Sequence, residues 1–568
     1  MFPVKIRLLL LIFGCLLGSF EVYGQKVVQV EVNSQTRGLV PSKQWLTNLD
    51  SAEYLVDQIL QTKLNEGYLE AGWKVDLQGD TSYYRLSEGK LYSWSKIQLV
   101  DDSLGFDLGF DDSVNIPYPK PYQVLEQWLS LREKSGFPFA QAQLQVVSMT
   151  NGLLQGLIQL DPGPFITWDS LEVKGNTKTQ RKYLQRFSGI TPGTPFSQDR
   201  YEQAVKKIGA NTYFTWESEP ELQFRTRQAV PVFSLRDRRI NVFDGIVGFL
   251  PNANEPGRLL VTGQVDLRLF HLGGKGREAG LQWQKLNQQS QSLDVRFKER
   301  FLLGSPLDVE VTFSLLKQDS SFVNRNFGID FGLQITERNY LTFFHRRQSG
   351  DLITVDSEGA DLGELVDFRW NHYGVRWDWS DIDQPESPRR GSRFQSEVSV
   401  GNKRIIENTG IPQEAYDEVD QSSPQIQAKV TAEKNLYVKP RYGVWLNFSA
   451  GHIQNQNLFL NELFRLGGLK SIRGFYETFF FAQSFGYLNM EHRLYLDSRS
   501  YLMVFSDVGV LSNPFSSPRL NRPVSFGSGI NLDTGGGLFS FVVAVGKSNE
   551  QPMSFSYSRV HFGYLARF

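Results

Sequence analysis

Arg473 sits in GGLKSIRGFYETFFF, residues 467–481, among glycines, aliphatics and aromatics. A guanidinium there has two readings. Either it faces water in a surface loop, or it meets carboxylates in a confined place. In the second case its planar fork binds a carboxylate through two parallel bonds, which lysine cannot do. Candidate partners follow in NMEHRLYL and FSDVGV. Asn489, Glu491 and Arg493 share one parity, hence one face of a strand, and Asp507 stands in the next segment. Gly467, Gly468 and Gly474 let the backbone bend sharply and approach a wall. From the residues alone the water-facing reading is the simpler. Serine, histidine and aspartate all occur, but no Gly-x-Ser-x-Gly elbow does, and Asp507 reads as half of an ion pair rather than a catalytic acid. No enzyme is expected. Six histidines and one cysteine are a poor stock for a Cys/His metal site, and neither a metal nor another cofactor is expected. A formal net charge of -1 without a basic face speaks against nucleic acid.

The elements that must position these residues lie in the second half of the chain. From about 238 to 568 the pattern is strands and turns only. Sixteen alternating segments have the length of a tilted bilayer-spanning strand: near 240–250, 259–271, 277–288, 292–302, 307–317, 324–336, 338–348, 366–380, 391–401, 425–438, 441–452, 484–497, 501–511, 524–532, 537–547 and 554–568. Short connections (271–276, 304–306, 337–338, 440–441, 533–536) alternate with long ones (348–366, 402–424, 454–484). That asymmetry belongs to outer-membrane barrels. In the last segment Val560, Phe562, Tyr564, Ala566 and Phe568 share a face suited to lipid; Arg559, His561, Gly563 and Arg567 share one suited to a polar lumen. A soluble β-domain with half-buried strands is the competing reading. The first and last strands would form the seam, where Gly245, Gly248 and Gly563 thin the side-chain packing and Phe568 ends the strand. The Arg473 segment falls between strands eleven and twelve, in a long outer loop. Folded inward, that loop would reach Glu491 and Asp507.

The N-terminus reads as a signal peptide over 1–24: Lys5 and Arg7, an apolar run at 8–17, then Gly24 before Gln25. The only cysteine, Cys15, lies inside it, and Phe13 makes a poor lipoprotein site, so the mature chain would hold no disulfide. No later run of 18 apolar residues exists, so membrane entry must be by a closed barrel. Between 25 and 237 strands mix with helices, and an internal repeat appears. Gly89, Trp94, Ile97 and Leu99 align with Gly163, Trp168, Leu171 and Val173 at an offset of 74 residues; Gly67 and Gly136 form a weaker pair. Helices are expected at 122–134, 179–187 and 198–208, and closing strands at 141–148 and 153–160. Three modules result, at 25–89, 90–163 and 164–237, the first with an insertion-like opening at 33–50.

The 467–475 segment resembles the sixth-loop signature of the outer-membrane assembly-factor superfamily that includes BamA, TamA and the two-partner secretion transporters. That signature is carried here by Gly467, Gly468, Ser471, Ile472, Arg473, Gly474 and Phe475. Asn489 and Glu491, then Phe505, Asp507 and Gly509, are similar to its strand motifs, and the turn from Asp383 through Pro385 and Pro388 to Gly391 is family-like. The modules resemble POTRA domains, the third most clearly. The resemblance implies α+β POTRA repeats (β-α-α-β-β) followed by an all-β 16-stranded transmembrane barrel over 238–568. It implies that Arg473 is held inside the barrel by Asp507 and Glu491. It also implies assembly and insertion of β-barrel proteins in the outer membrane of a Gram-negative-type bacterium. The modules would lie in the periplasm, with unfolded outer-membrane proteins as clients, the lipid bilayer as a partner, and accessory proteins of the periplasm or inner membrane. The alternative within the family is a secretion pore for one cognate unfolded protein; such transporters usually have two POTRA modules and a plug helix. A passive porin would make three modules superfluous.

Overall fold

The computed structural model of the chain describes residues 27–32, 44–46, 49–78, 81–101, 106–110, 114–251, 259–285, 290–355, 362–384, 387–417, 419–534 and 536–567. The signal-peptide segment and Phe568 lie outside them. The chain divides into two compact units. One is Met1–Trp168 with Gly193–Asp199 and Thr226–Gln228, and the other is Asp169–Pro192 with Arg200–Arg225 and Ala229–Phe568.

The first unit holds two four-stranded sheets of one topology. The orders are Gln44–Leu46, Val27–Val32, Thr81–Ser87, Gly72–Gln78 and Ile116–Pro117, Ser93–Leu99, Leu153–Asp161, Gln141–Thr150. In each the opening strand runs parallel to the closing one, with a helix in the crossover: Leu49–Glu66 or Lys120–Lys134. The sequence repeat has a physical basis. Gly89 and Gly163 both take positive φ (71° and 65°), and Trp94 and Trp168 are both buried. The first helix begins inside the segment that reads as an insertion; it buries Val56 and Ile59 against Tyr84 and Leu86. Among the described residues the two-helix form appears only in the third module, as Arg181–Ser188 and Gln198–Gly209. The first two modules use one longer helix and a short extra strand instead.

The second unit contains the barrel. Its wall strands, in chain order, are β1 (Val242–Pro251), β2 (Leu259–Leu272), β3 (Arg277–Lys285), β4 (Gln291–Glu299), β5 (Leu307–Gln318), β6 (Phe322–Gln334), β7 (Asn339–Leu352), β8 (Phe368–Ser380), β9 (Gly391–Ile405), β10 (Ser422–Lys439), β11 (Tyr442–Gln454), β12 (Ser484–Tyr495), β13 (Tyr501–Ser512), β14 (Val524–Thr534), β15 (Gly537–Lys547) and β16 (Arg559–Arg567). A two-residue strand, Leu520–Asn521, adds a seventeenth beside β13, but β13 also pairs directly with β14, so among the described residues sixteen strands form the wall. Closure runs through two residue pairs of β1 and β16, Val242 with Arg567 and Phe243 with Ala566.

Alternation sorts the side chains. On β13, Val504, Val508 and Val510 face outward, while Phe505, Asp507 and Leu511 are buried. Inward charges pair across strands: Arg346 bridges Asp330 and Glu397, and Arg376 reaches both as well. Turns at one end are tight, as at 440–441, and loops at the other are long. Those loops are shorter than alternation suggests, because the ladders of β7–β10 continue to Gly350 with Phe368 and Arg404 with Ser422. The continuation is packed: Phe368 and Ile405 join Val366, Trp370, Tyr416 and Phe459 in one apolar cluster. The last strand starts later than expected, since Phe555–Tyr557 forms a 3-10 turn. Within this unit the third module rests on the β2–β3 turn. Gln180 Nε2 donates to the Gly273 carbonyl at 2.9 Å and the Tyr213 hydroxyl to Glu278 Oε1 at 2.6 Å. A Cβ at Gly274 would lie 1.8 Å from the Lys178 carbonyl oxygen, so the contact requires glycine.

Candidate functional site

The connection from β11 to β12 turns into the barrel. Its stem is a small antiparallel pair, Phe464–Leu466 with Phe480–Ala482. Two consecutive glycines end the outgoing arm with φ of 116° and 82° at Gly467 and Gly468, values that side chains rarely adopt. The Ser471 hydroxyl accepts from Gly467 N at 2.7 Å and donates to Gly467 O at 2.9 Å, which closes the tip on itself. Gly474 (φ 86°) lies against β15: a Cβ there would stand 2.9 Å from Gly546 N and from the Val545 carbonyl carbon. The apolar residues of the tip are fully covered. Ile472 and Phe475 pack with Leu466, Phe480, Phe485, Tyr487 and Leu511.

This packing delivers Arg473 to two inward carboxylates, and the residue is only 4% exposed. Its Nε and Nη2 donate to Asp507 Oδ2 and Oδ1 at 2.9 and 2.6 Å, the two-bond fork. The Arg473 backbone N–H adds a third bond to Asp507 Oδ2 at 2.9 Å. Nη1 donates to Glu491 Oε1 at 2.5 Å, and Arg493 Nε donates to the other oxygen of Glu491 at 2.8 Å. The Arg473 Cζ lies 3.6 Å from the Phe505 ring centroid, a cation–π contact that covers the remaining face. Two arginines meet two carboxylates, so the cluster is neutral and every charge is paired, the condition for burying them. Asn489 Nδ2 also holds the tip, donating to Ser471 O at 2.7 Å. The water-facing reading of Arg473 is therefore wrong; apolar packing carries the loop inward. Both carboxylates are engaged by arginine, Asp507 by Arg473 and Glu491 by Arg473 and Arg493.

The seam residues are placed differently from one another. Gly245 and Gly248 pair with Val265 and Thr262 of β2, and Gly563 with Ser540 of β15. The three glycines do not face each other across the seam; they lie beyond the two pairs that close it. Gly563 has open space where a Cβ would be.

Sequence reasoning missed several contacts. Lys403 Nζ donates to both oxygens of Glu462 at 2.8 and 3.0 Å, and both side chains are buried. Glu462 lies just before the hairpin stem, so this pair ties the loop base to β9. Lys403 shares parity with inward Glu397, the one signal that pointed to it. Two contacts bring the hairpin to the final strands. Gln551 Nε2 bridges Gly474 O and Gly546 O, and Arg559 of β16 stacks its guanidinium 3.5 Å from the Tyr476 ring centroid.

The comparisons agree with this architecture. Residues 166–231 match a POTRA family model described as a surface antigen variable number repeat. Among solved structures, CdiB from Escherichia coli aligns over 91% of this chain and 98% of its own, at 13% identity and a TM-score of 0.55. CdiB from Acinetobacter baumannii aligns over the same shares at 10% identity and a TM-score of 0.50. BamA from Haemophilus ducreyi lacking POTRA domains 1-3 aligns over 84% of this chain and 100% of its own, at 13% identity and a TM-score of 0.47. At such identities the likeness to the two CdiB structures concerns the fold alone. No curated protein shows a significant sequence match. An Omp85 superfamily domain model matches residues 272–568, just over half the chain, and the protein belongs to the Omp85 superfamily.

Proposed function

We propose that this protein assembles other β-barrel proteins into an outer membrane, with its modules in the periplasm and unfolded barrel proteins as clients. The observation that carries the reading is the seam. β1 pairs with β2 over ten residues and β15 with β16 over eight, but β1 meets β16 through two. From Asp244 to Pro251, β1 has no ladder partner on β16 among the described residues. Unpaired backbone N–H and C=O groups are costly in lipid, so such an edge favours the addition of a client strand whose own edges are equally unsatisfied. The buried hairpin braces the other side of the seam through Gly546 and Arg559. That arrangement leaves β1 as the side that moves. Upstream, Gln141–Thr150 is an edge strand with Val146, Val147 and Met149 exposed, suited to capture of an extended client by strand addition.

The test is a disulfide between cysteines at Val242 and Arg567, oxidised in reconstituted membranes. Client insertion should stop and return on reduction; insertion unchanged by a complete crosslink contradicts the proposal. The second reading, a secretion pore for one unfolded protein, has the charged lumen in its favour: a cavity of about 610 Å³ lined by Asp266, Arg268, Glu310, Arg346 and Lys470 among others. It is the weaker reading because the hairpin fills part of the same lumen.

A further inference from the structure

A second pocket, of about 550 Å³, opens at the module end of the barrel, within the second unit. Lys182 and Arg186 of the Arg181–Ser188 helix line one side, and Lys275, Arg277, Arg300 and the 301–304 turn line the other. Among the described residues its only acidic lining residue is Glu299, which Arg277 neutralises at 2.5 Å. Arg300 lies within 3.8 and 3.9 Å of Glu278 and Asp308. Lys182, Arg186 and Lys275 have no acidic partner among the described residues. Three uncompensated cations therefore face one concave space.

The pocket adjoins the outer wall. Arg277 and Glu299 share the parity of Leu281, Val295 and Phe297, which face outward on β3 and β4. The turn beside it carries Leu303, fully exposed, with φ of 55° at Phe301 and 50° at Leu303. Bulky residues seldom hold that conformation, and a leucine so presented to water gains nothing. Set against a bilayer rim, the same leucine reaches acyl chains while the cations above it meet phosphates.

We propose that this pocket binds the phosphate-bearing headgroup of an anionic phospholipid in the leaflet facing the modules, with Leu303 entering the apolar layer. The inference rests on the barrel spanning a membrane in the orientation given above. It does not depend on whether the protein assembles barrels or secretes a partner. Charge and apolar contact act together here, as at other membrane surfaces that select anionic lipid.

The test uses the full chain, folded in detergent, with phosphatidylglycerol or phosphatidylcholine added and bound lipid counted by native mass spectrometry. No client is present, so the result is independent of assembly activity. Phosphatidylglycerol should be retained over phosphatidylcholine. Lys182→Gln, Arg186→Gln and Lys275→Gln together should weaken that retention on the order of a hundredfold, from roughly fivefold per basic residue near an anionic surface. Leu303→Ser should weaken both lipids equally. Equal retention of the two lipids by the parent, or parent-like retention by the triple variant, overturns the proposal. So does displacement of the lipid by millimolar inorganic phosphate, which would make the site one for free phosphate. Should the triple variant fail to fold, a photoreactive phosphatidylglycerol on the parent decides. Adducts on peptides spanning 180–186 or 275–304 support the site, and adducts confined elsewhere refute it.

Discussion

Asp507→Ala isolates what the ion cluster contributes to seating the hairpin. Asp507 accepts three bonds from Arg473 and is itself without exposure. Its removal leaves a buried guanidinium with Glu491 alone, which Arg493 already shares. Breaking a buried pair by deleting one partner costs about 3–5 kcal/mol. Against that, Ile472 and Phe475 each hold the tip by roughly 1.5–3 kcal/mol of apolar burial. The two terms are similar in size, so the hairpin should stay seated in most molecules while its released fraction rises. At a factor of ten per 1.4 kcal/mol, the rise is roughly 140-fold to 3,700-fold. Trypsin reads it, because Lys470 lines the lumen when the tip is seated, a space too narrow for a protease, and cleavage of a transiently opened segment follows the open population. Faster cleavage at that bond, with the barrel still folded by its heat-dependent gel mobility, is the expected result. Cleavage at the parent rate in a folded Asp507→Ala protein would refute the reasoning.

Two further substitutions probe the same framework. Gly474→Ala places a Cβ 2.9 Å from β15 backbone at φ 86°, so it should cost about 1–2 kcal/mol from the backbone conformation alone and speed cleavage at 470–471; Gly486→Ala, with open space around it, is the neutral control. Lys403→Met leaves Glu462 buried without its partner and should lower barrel stability by about 3–5 kcal/mol in denaturant titration, whereas Lys403→Met with Glu462→Leu should recover most of the loss.

The barrel was legible because a strand in a two-sided environment writes its faces into every second residue. Valines at 504, 508 and 510 against Phe505 and Asp507 are enough to assign inside and outside. The two glycine–tryptophan pairs exposed the module repeat for a similar reason: each fixes a positive φ or fills a core. Arg473 was not legible from its neighbours, whose composition suits a surface loop equally well. Only the family-like spacing of the glycines and the two carboxylates linked positions 34 residues apart. Lys403 and Glu462 carry no such spacing, and a lysine next to a long loop reads as solvated until the ladder of β9 is seen to continue past it. The helix Leu49–Glu66 was hidden because its start has no sharp polar-to-apolar boundary. The sparse seam could not have been read at all, since strand alternation says nothing about how many residues of β1 and β16 pair.

Depletion of the protein from its cell, followed by quantitative comparison of the outer-membrane proteins, tests the proposed function most directly. Many unrelated β-barrel proteins should fall together, with their unfolded forms accumulating on the module side of the membrane. An unchanged set of barrels, with one secreted protein lost from the medium, would contradict it and favour the secretion pore.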